Sequence, residues 1–87
     1  MANNNKAWFV YIVECADRSL YTGVSTNLER RVIEHNSCNT KGAKYTRTRR
    51  PVTLVYSQEC ESRSLACQRE AAIKKLNRHQ KLALITP

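Results

Sequence analysis

Tyr11, Tyr21, Arg31, His35 and Glu70 are side chains whose types and places in the chain suit them to move protons and hold an anion. Arg31 and His35 stand four residues apart, which puts them on one face of a helix. An arginine there can grip the oxygens of an anion, and a histidine or tyrosine beside it can take or orient a proton. Leu28 and Val32 mark the buried stripe of that helix. Arg31 and His35 flank one edge of the stripe, while Arg30 and Glu34 point further out. Tyr11 and Tyr21 each sit within an apolar run. Every one of these residues has a plainer alternative: core tyrosines, a solvated helix edge, or a Glu70–Lys74 surface pair at i,i+4.

The elements that must position these groups are legible in outline. Residues 7–15, "AWFVYIVEC", and 19–24, "SLYTGV", are aromatic and β-branched runs around a turn, which predicts a hairpin. A two-residue loop at Asp17–Arg18 places the tyrosines on opposite faces. A three-residue loop at Ala16–Arg18 pairs Val13 with Tyr21 and gives both tyrosines one face, at the cost of a left-handed Arg18. Sequence alone leaves the two open. Gly23 is where the backbone is expected to change course, and "TNLE" at 26–29 fits a capping box with Thr26 as N-cap for a helix to about His35. A long mobile loop, 36–51, follows, then a strand at 52–56. A helix capped by Ser62 or Ser64 runs to about Asn77, and a short last helix covers 78–86. The order is β-β-α-β-α with one further α. Periodicity does not decide whether Arg69 or Glu70 faces inward.

Composition narrows the function classes. Net charge is +8, from 15 basic and 7 acidic residues, which implies an anionic partner. Lys41, Lys44, Arg47, Arg49 and Arg50 form one basic cluster without an acid; Lys74, Lys75, Arg78 and Lys81 form a second. No run is long and apolar enough to cross a membrane. Residues 1–6 read as a polar tail and 7–86 as one domain of a cytosolic protein. The four cysteines lack zinc-ligand spacing and read as reduced, buried or half-buried thiols. No Gly-rich phosphate loop, Ser-His-Asp set or convergent carboxylate pair is present, which argues against a two-metal site.

"FVY" at 9–11, "YTG" at 21–23, Arg31, His35 and "REAAIKKL" at 69–76 resemble the GIY-YIG nuclease family. From about Trp8 to Ile85 the chain is most similar to its small stand-alone members, whose linker and third strand "KYTRTRRPVTLVY" at 44–56 resembles. The resemblance implies an α+β fold, a three-stranded antiparallel sheet flanked by helices. It also implies hydrolysis of DNA phosphodiesters with one divalent metal, Mg²⁺ or Mn²⁺. Branched repair or recombination DNA and RNA are further candidate substrates, and the chain would act as a monomer or homodimer. Tyr11, Tyr21, Arg31, His35 and Glu70 match the family's site positions, with Glu70 as the metal ligand and Gly23 as the glycine of the second triplet. Phe9 stands where the first triplet has glycine, and only Asn77 is available for the late asparagine many members carry. The rival expectation is a nucleic-acid-binding module with little or no turnover, which shares the basic clusters.

Overall fold

The structure, a computed structural model, describes residues 7–38 and 40–85. The tail at 1–6 lies outside the described residues. Strand β1 (Trp8–Glu14) is central, with β2 (Leu20–Ser25) and β3 (Thr53–Cys60) antiparallel on either side in the order β2-β1-β3. The helices are α1 (Leu28–Ser37), the single turn α2 (Lys44–Arg47), α3 (Arg63–Lys74) and α4 (Arg78–Ile85). This is the α+β arrangement the sequence led us to expect.

The hairpin takes the three-residue loop. Val13 pairs with Tyr21, and Arg18 adopts φ 73°, the left-handed conformation that this loop demands. Asp17 holds the tip by accepting from both the amide and the hydroxyl of Ser19, at 3.0 and 2.5 Å. With that register, Tyr11, Val13 and Cys15 point to one face and form a buried cluster with Val52. Tyr21 and the α1 residues Leu28 and Val32 pack against it. The opposite face carries Val10 and Ile12, sealed by Ile73 of α3 and by Leu84 and Ile85 of α4.

Five local readings are corrected. The N-cap of α1 is Asn27, whose side chain accepts from the Arg30 amide at 3.0 Å; Thr26 lies one residue too early. Gly23 is mid-strand with no positive φ, so the chain does not turn there. The stretch read as a mobile loop contains α2, with Thr46 completely buried. Strand β3 continues to Cys60 because Tyr11 to Trp8 supply pairing partners for Ser57 to Cys60 beyond a bulge at Ile12/Val13. Helix α3 stops at Lys74, and Asn77 instead caps α4: its side chain accepts from the Gln80 amide at 2.8 Å, and Gln80 reaches back to the Asn77 amide at 3.0 Å.

Candidate active site

Tyr11 lies opposite Gly23 in the sheet, and its ring folds over that strand position. A Cβ on residue 23 would stand 2.5 Å from the Tyr11 oxygen. The glycine is therefore required for space, not for backbone freedom. From the helix above, His35 and Arg31 converge on the same oxygen. His35 Nε2 is 2.8 Å from Tyr11 Oη, and Arg31 Nε donates to it at 3.3 Å. Arg31 is itself braced: one Nη donates to Glu34 at 3.0 Å and to the Lys41 carbonyl at 2.5 Å. Arg30, one residue away, is mostly exposed and pairs with Glu34 at 3.5 Å.

His35 is fully buried. Burial first, then the neighbouring Arg31 charge, lowers its pKa to about 4, so the ring is neutral at ordinary pH. Its Nδ1 lies 2.9 Å from Thr46 Oγ1, and the Ala43 amide donates to it at 3.4 Å. Burial pushes the Tyr11 phenol above its usual value near 10, while the hydrogen bond and charge of Arg31 pull it back part of the way. Tyr21 shares the face, its ring edge-on to His35 with centroids 5.4 Å apart. Tyr45 of α2 stacks on Tyr21 at 5.9 Å, and the Arg49 guanidinium lies 4.0 Å over the Tyr45 ring.

Glu70 stands on α3 with its carboxylate 3.1 Å from Lys74 Nζ. Its charge is among those that push the Tyr11 phenol up, and Lys74 lies 6.0 Å over the Tyr21 ring. Among the described residues no three His, Cys, Asp or Glu side chains converge as a metal cage. A single half-buried carboxylate fits a hard cation of the Mg²⁺ kind, which keeps several waters and takes other ligands from a substrate phosphate. The basic cluster divides. Lys44 and Arg47 are exposed. Arg49 donates to Asp17 at 3.1 Å. Arg50 donates to the His35 and Cys38 carbonyls at 2.6 and 3.2 Å, closing the C-terminal end of α1. The sequence reading missed Thr46 and Tyr45. The only signal for them was an aromatic and a hydroxyl inside a basic run; nothing in periodicity marks Thr46 as buried or Tyr45 as stacked on Tyr21.

The model of the GIY-YIG catalytic domain matches residues 7–83. This chain belongs to the GIY-YIG family. Among GIY-YIG relatives, the UPF0213 protein of Desulfotalea psychrophila is 60% identical over 79 residues, covering 91% of this chain and 71% of that one. The UPF0213 protein of Staphylococcus haemolyticus is 56% identical, covering 88% of this chain and 92% of its own. The solution NMR structure of the UPF0213 protein of Bacillus halodurans is similar with a TM-score of 0.57 at 42% identity, over 91% of this chain and 82% of that one. An E. faecalis protein solved by NMR gives 0.60 at 41% identity, over 95% and 88%. The family implies a nucleic-acid substrate. No helix among the described residues is long and apolar enough to cross a membrane.

Proposed function

We propose that this chain is an endonuclease that hydrolyses DNA phosphodiester bonds, with Glu70 as the ligand of one divalent metal, Mg²⁺ or Mn²⁺. The observation that supports this reading is the Tyr11 oxygen, held between His35 Nε2 and the cationic Arg31 Nε. The Arg31 N–H, joined by Nε2 when it carries the ring proton, favours the ionised form of the phenol, the form that can take a proton from water.

Arg31, with 24% of its side chain exposed against 1% for Tyr11, is the group an incoming phosphate meets first. It binds the non-bridging oxygens and offsets the charge that grows on them as the reaction proceeds. The water oxygen forms a new bond to phosphorus while its proton passes to the Tyr11 phenolate. The P–O3′ bond breaks with its electron pair, and the leaving oxygen is protonated from solvent. A metal, when bound, supplies positive charge near the departing oxygen. His35 stays neutral and holds the Tyr11 oxygen in place. Tyr21 packs edge-on against the imidazole and helps hold it. Lys44, Arg47 and Lys75, all exposed, track the backbone of the substrate beyond the scissile bond. Lys41 and Arg49 flank that path, and Lys74 keeps Glu70 from standing alone. We place this activity in the cytoplasm, with branched DNA as the candidate target.

The Glu70–Lys74 pair at 3.1 Å favours a second reading, a binding module in which lysine has taken over the metal's place. Plasmid, branched DNA and RNA incubated with and without Mg²⁺ separate the two. The nuclease reading expects metal-dependent cleavage that falls by orders of magnitude in Glu70→Gln. DNA binding and melting temperature should be retained there, because such a pair contributes only about 0.3–0.5 kcal/mol. Tight binding with no cleavage by the unaltered protein under any of these conditions would support the binding module.

A further inference from the structure

The imidazole of His35 touches three groups that cannot all be satisfied as drawn by distance alone. Thr46 Oγ1 is 2.9 Å from Nδ1 and 3.0 Å from the Ala43 carbonyl, and the Ala43 amide points at Nδ1 from 3.4 Å. The threonine hydroxyl has one proton, and neutral imidazole has one. In the first arrangement Nδ1 carries the ring proton and donates to Thr46, which donates to the Ala43 carbonyl. The Ala43 amide, an obligatory donor, then faces another N–H. An amide left so is a donor without an acceptor, which lowers the stability of the fold. In the second arrangement Thr46 and the Ala43 amide both donate to Nδ1. The Ala43 carbonyl loses nothing essential, because the Thr46 and Arg47 amides already donate to it at 3.1 Å each. With Tyr11 as the phenolate, which accepts from the Nε2 proton, the second arrangement leaves none of these groups unpaired.

We infer that Thr46 is a positioning residue: at 2.9 Å from His35 Nδ1, against 3.4 Å for the Ala43 amide, it is the stronger of the two donors that keep the imidazole proton on Nε2, aimed at the Tyr11 oxygen. This rests on the reading of Tyr11 as the base. Were the tautomer reversed, Nε2 would draw the Tyr11 proton toward itself, and the phenolate would lose one of its two donors. Thr46 and His35 are both fully buried, so no solvent donor can substitute for the hydroxyl. The residue lies in a one-turn helix that no helical periodicity supports, and its placement comes from the packing of that turn under the end of α1. Arg50, through the His35 and Cys38 carbonyls, ties the same end of α1 to the loop.

Nitrogen-15 spectra of the imidazole in the full chain test the assignment without reference to activity. Wild-type His35 should show a protonated Nε2 and a hydrogen-bonded, unprotonated Nδ1. In Thr46→Val the Nδ1 signal should shift. The cleavage kcat should fall roughly 10- to 100-fold with KM little changed, the size expected when a reacting group is misplaced. Thr46→Ser should restore both the signal and the rate, which a simple packing role for the methyl group would not allow. A protonated Nδ1 in the wild type overturns the inference. So does a Thr46→Val protein that is folded, as judged by its melting curve, and cleaves at the wild-type rate. If the wild type shows the expected tautomer, its shift in Thr46→Val and its recovery in Thr46→Ser, yet none of the three proteins cleaves, the nuclease reading fails and the positioning of His35 stands.

Discussion

The two faces of β1 are built on opposite rules. On one, Val10 and Ile12 meet Ile73, Leu84 and Ile85 in an apolar cluster. On the other, Tyr11 lies beside Val13 and Cys15 but reaches up to His35, Arg31 and, through the imidazole, Thr46. The first face supplies burial. The second spends buried volume on polar groups that must all be paired, and any one left alone would cost more than a lost methyl group gains. A chain of 87 residues has little core to spare, so a polar cluster of this depth is hard to explain as packing alone. The apolar face holds the sheet together; the proposed nuclease reading puts the chemistry on the polar face.

That contrast can be broken by paired substitutions. Tyr11→Phe keeps the ring and removes the oxygen; cleavage should fall by about 10²–10⁴-fold, the usual contribution of a positioned acid or base. Ile73→Ala should do the reverse, costing roughly 2–5 kcal/mol of stability while leaving the rate per folded molecule nearly unchanged. Denaturant titration and single-turnover cleavage on both variants would show whether the faces are truly separable. Acid should also strike the polar face selectively. His35 has a folded pKa of about 4, below its unfolded value of 6.5, so the unfolded chain binds the proton first as pH falls. The stability that depends on the neutral ring is complete above about pH 6.5 and is lost on going down to 4, a total of about 3 kcal/mol. The difference in unfolding free energy between pH 7 and pH 4.5 should shrink in His35→Gln; an unchanged difference would mean the ring is not held neutral. The smallest effect belongs to the exposed rim. Arg47→Glu should flatten the salt dependence of DNA binding by roughly 0.9 per lost phosphate contact on a log–log plot, with stability unaltered.

The apolar face was easy to read from sequence, and the polar one only in part. A nearly continuous aromatic and β-branched run announces β1 as a strand buried on both faces, and Leu28 and Val32 announce the inner stripe of α1. The shared face of Tyr11 and Tyr21 was not decidable. It hangs on Arg18 accepting a left-handed backbone, a local strain that long-range pairing overrides. Thr26 and Asn27 are both competent caps, and only the position where the helix enters the sheet chooses Asn27. Residues Ser57 to Cys60 look polar and loop-like, yet β1 offers them a ladder. A four-residue helix such as α2 is below the length at which local propensity can speak, so the burial of Thr46 is a tertiary fact. Arg50 shows the same limit from the other side: its charge gives no sign that the guanidinium donates to the carbonyls that end α1.

The central claim is that Tyr11, ionised and held by two N–H groups, takes the proton from water. Its pKa is raised by burial above the ordinary value of 10, so near neutrality only a small fraction is in the working form. The direct measurement is the single-turnover rate of DNA cleavage at saturating metal as a function of pH. The account predicts a rate that climbs about tenfold per pH unit from 7 to 9 without levelling, since a base far below its pKa gains its active form in proportion to hydroxide. That climb should vanish in Tyr11→Phe. A wild-type rate that is flat from pH 7 to 9, or that levels off near the ordinary histidine value of about 6.5, would contradict it.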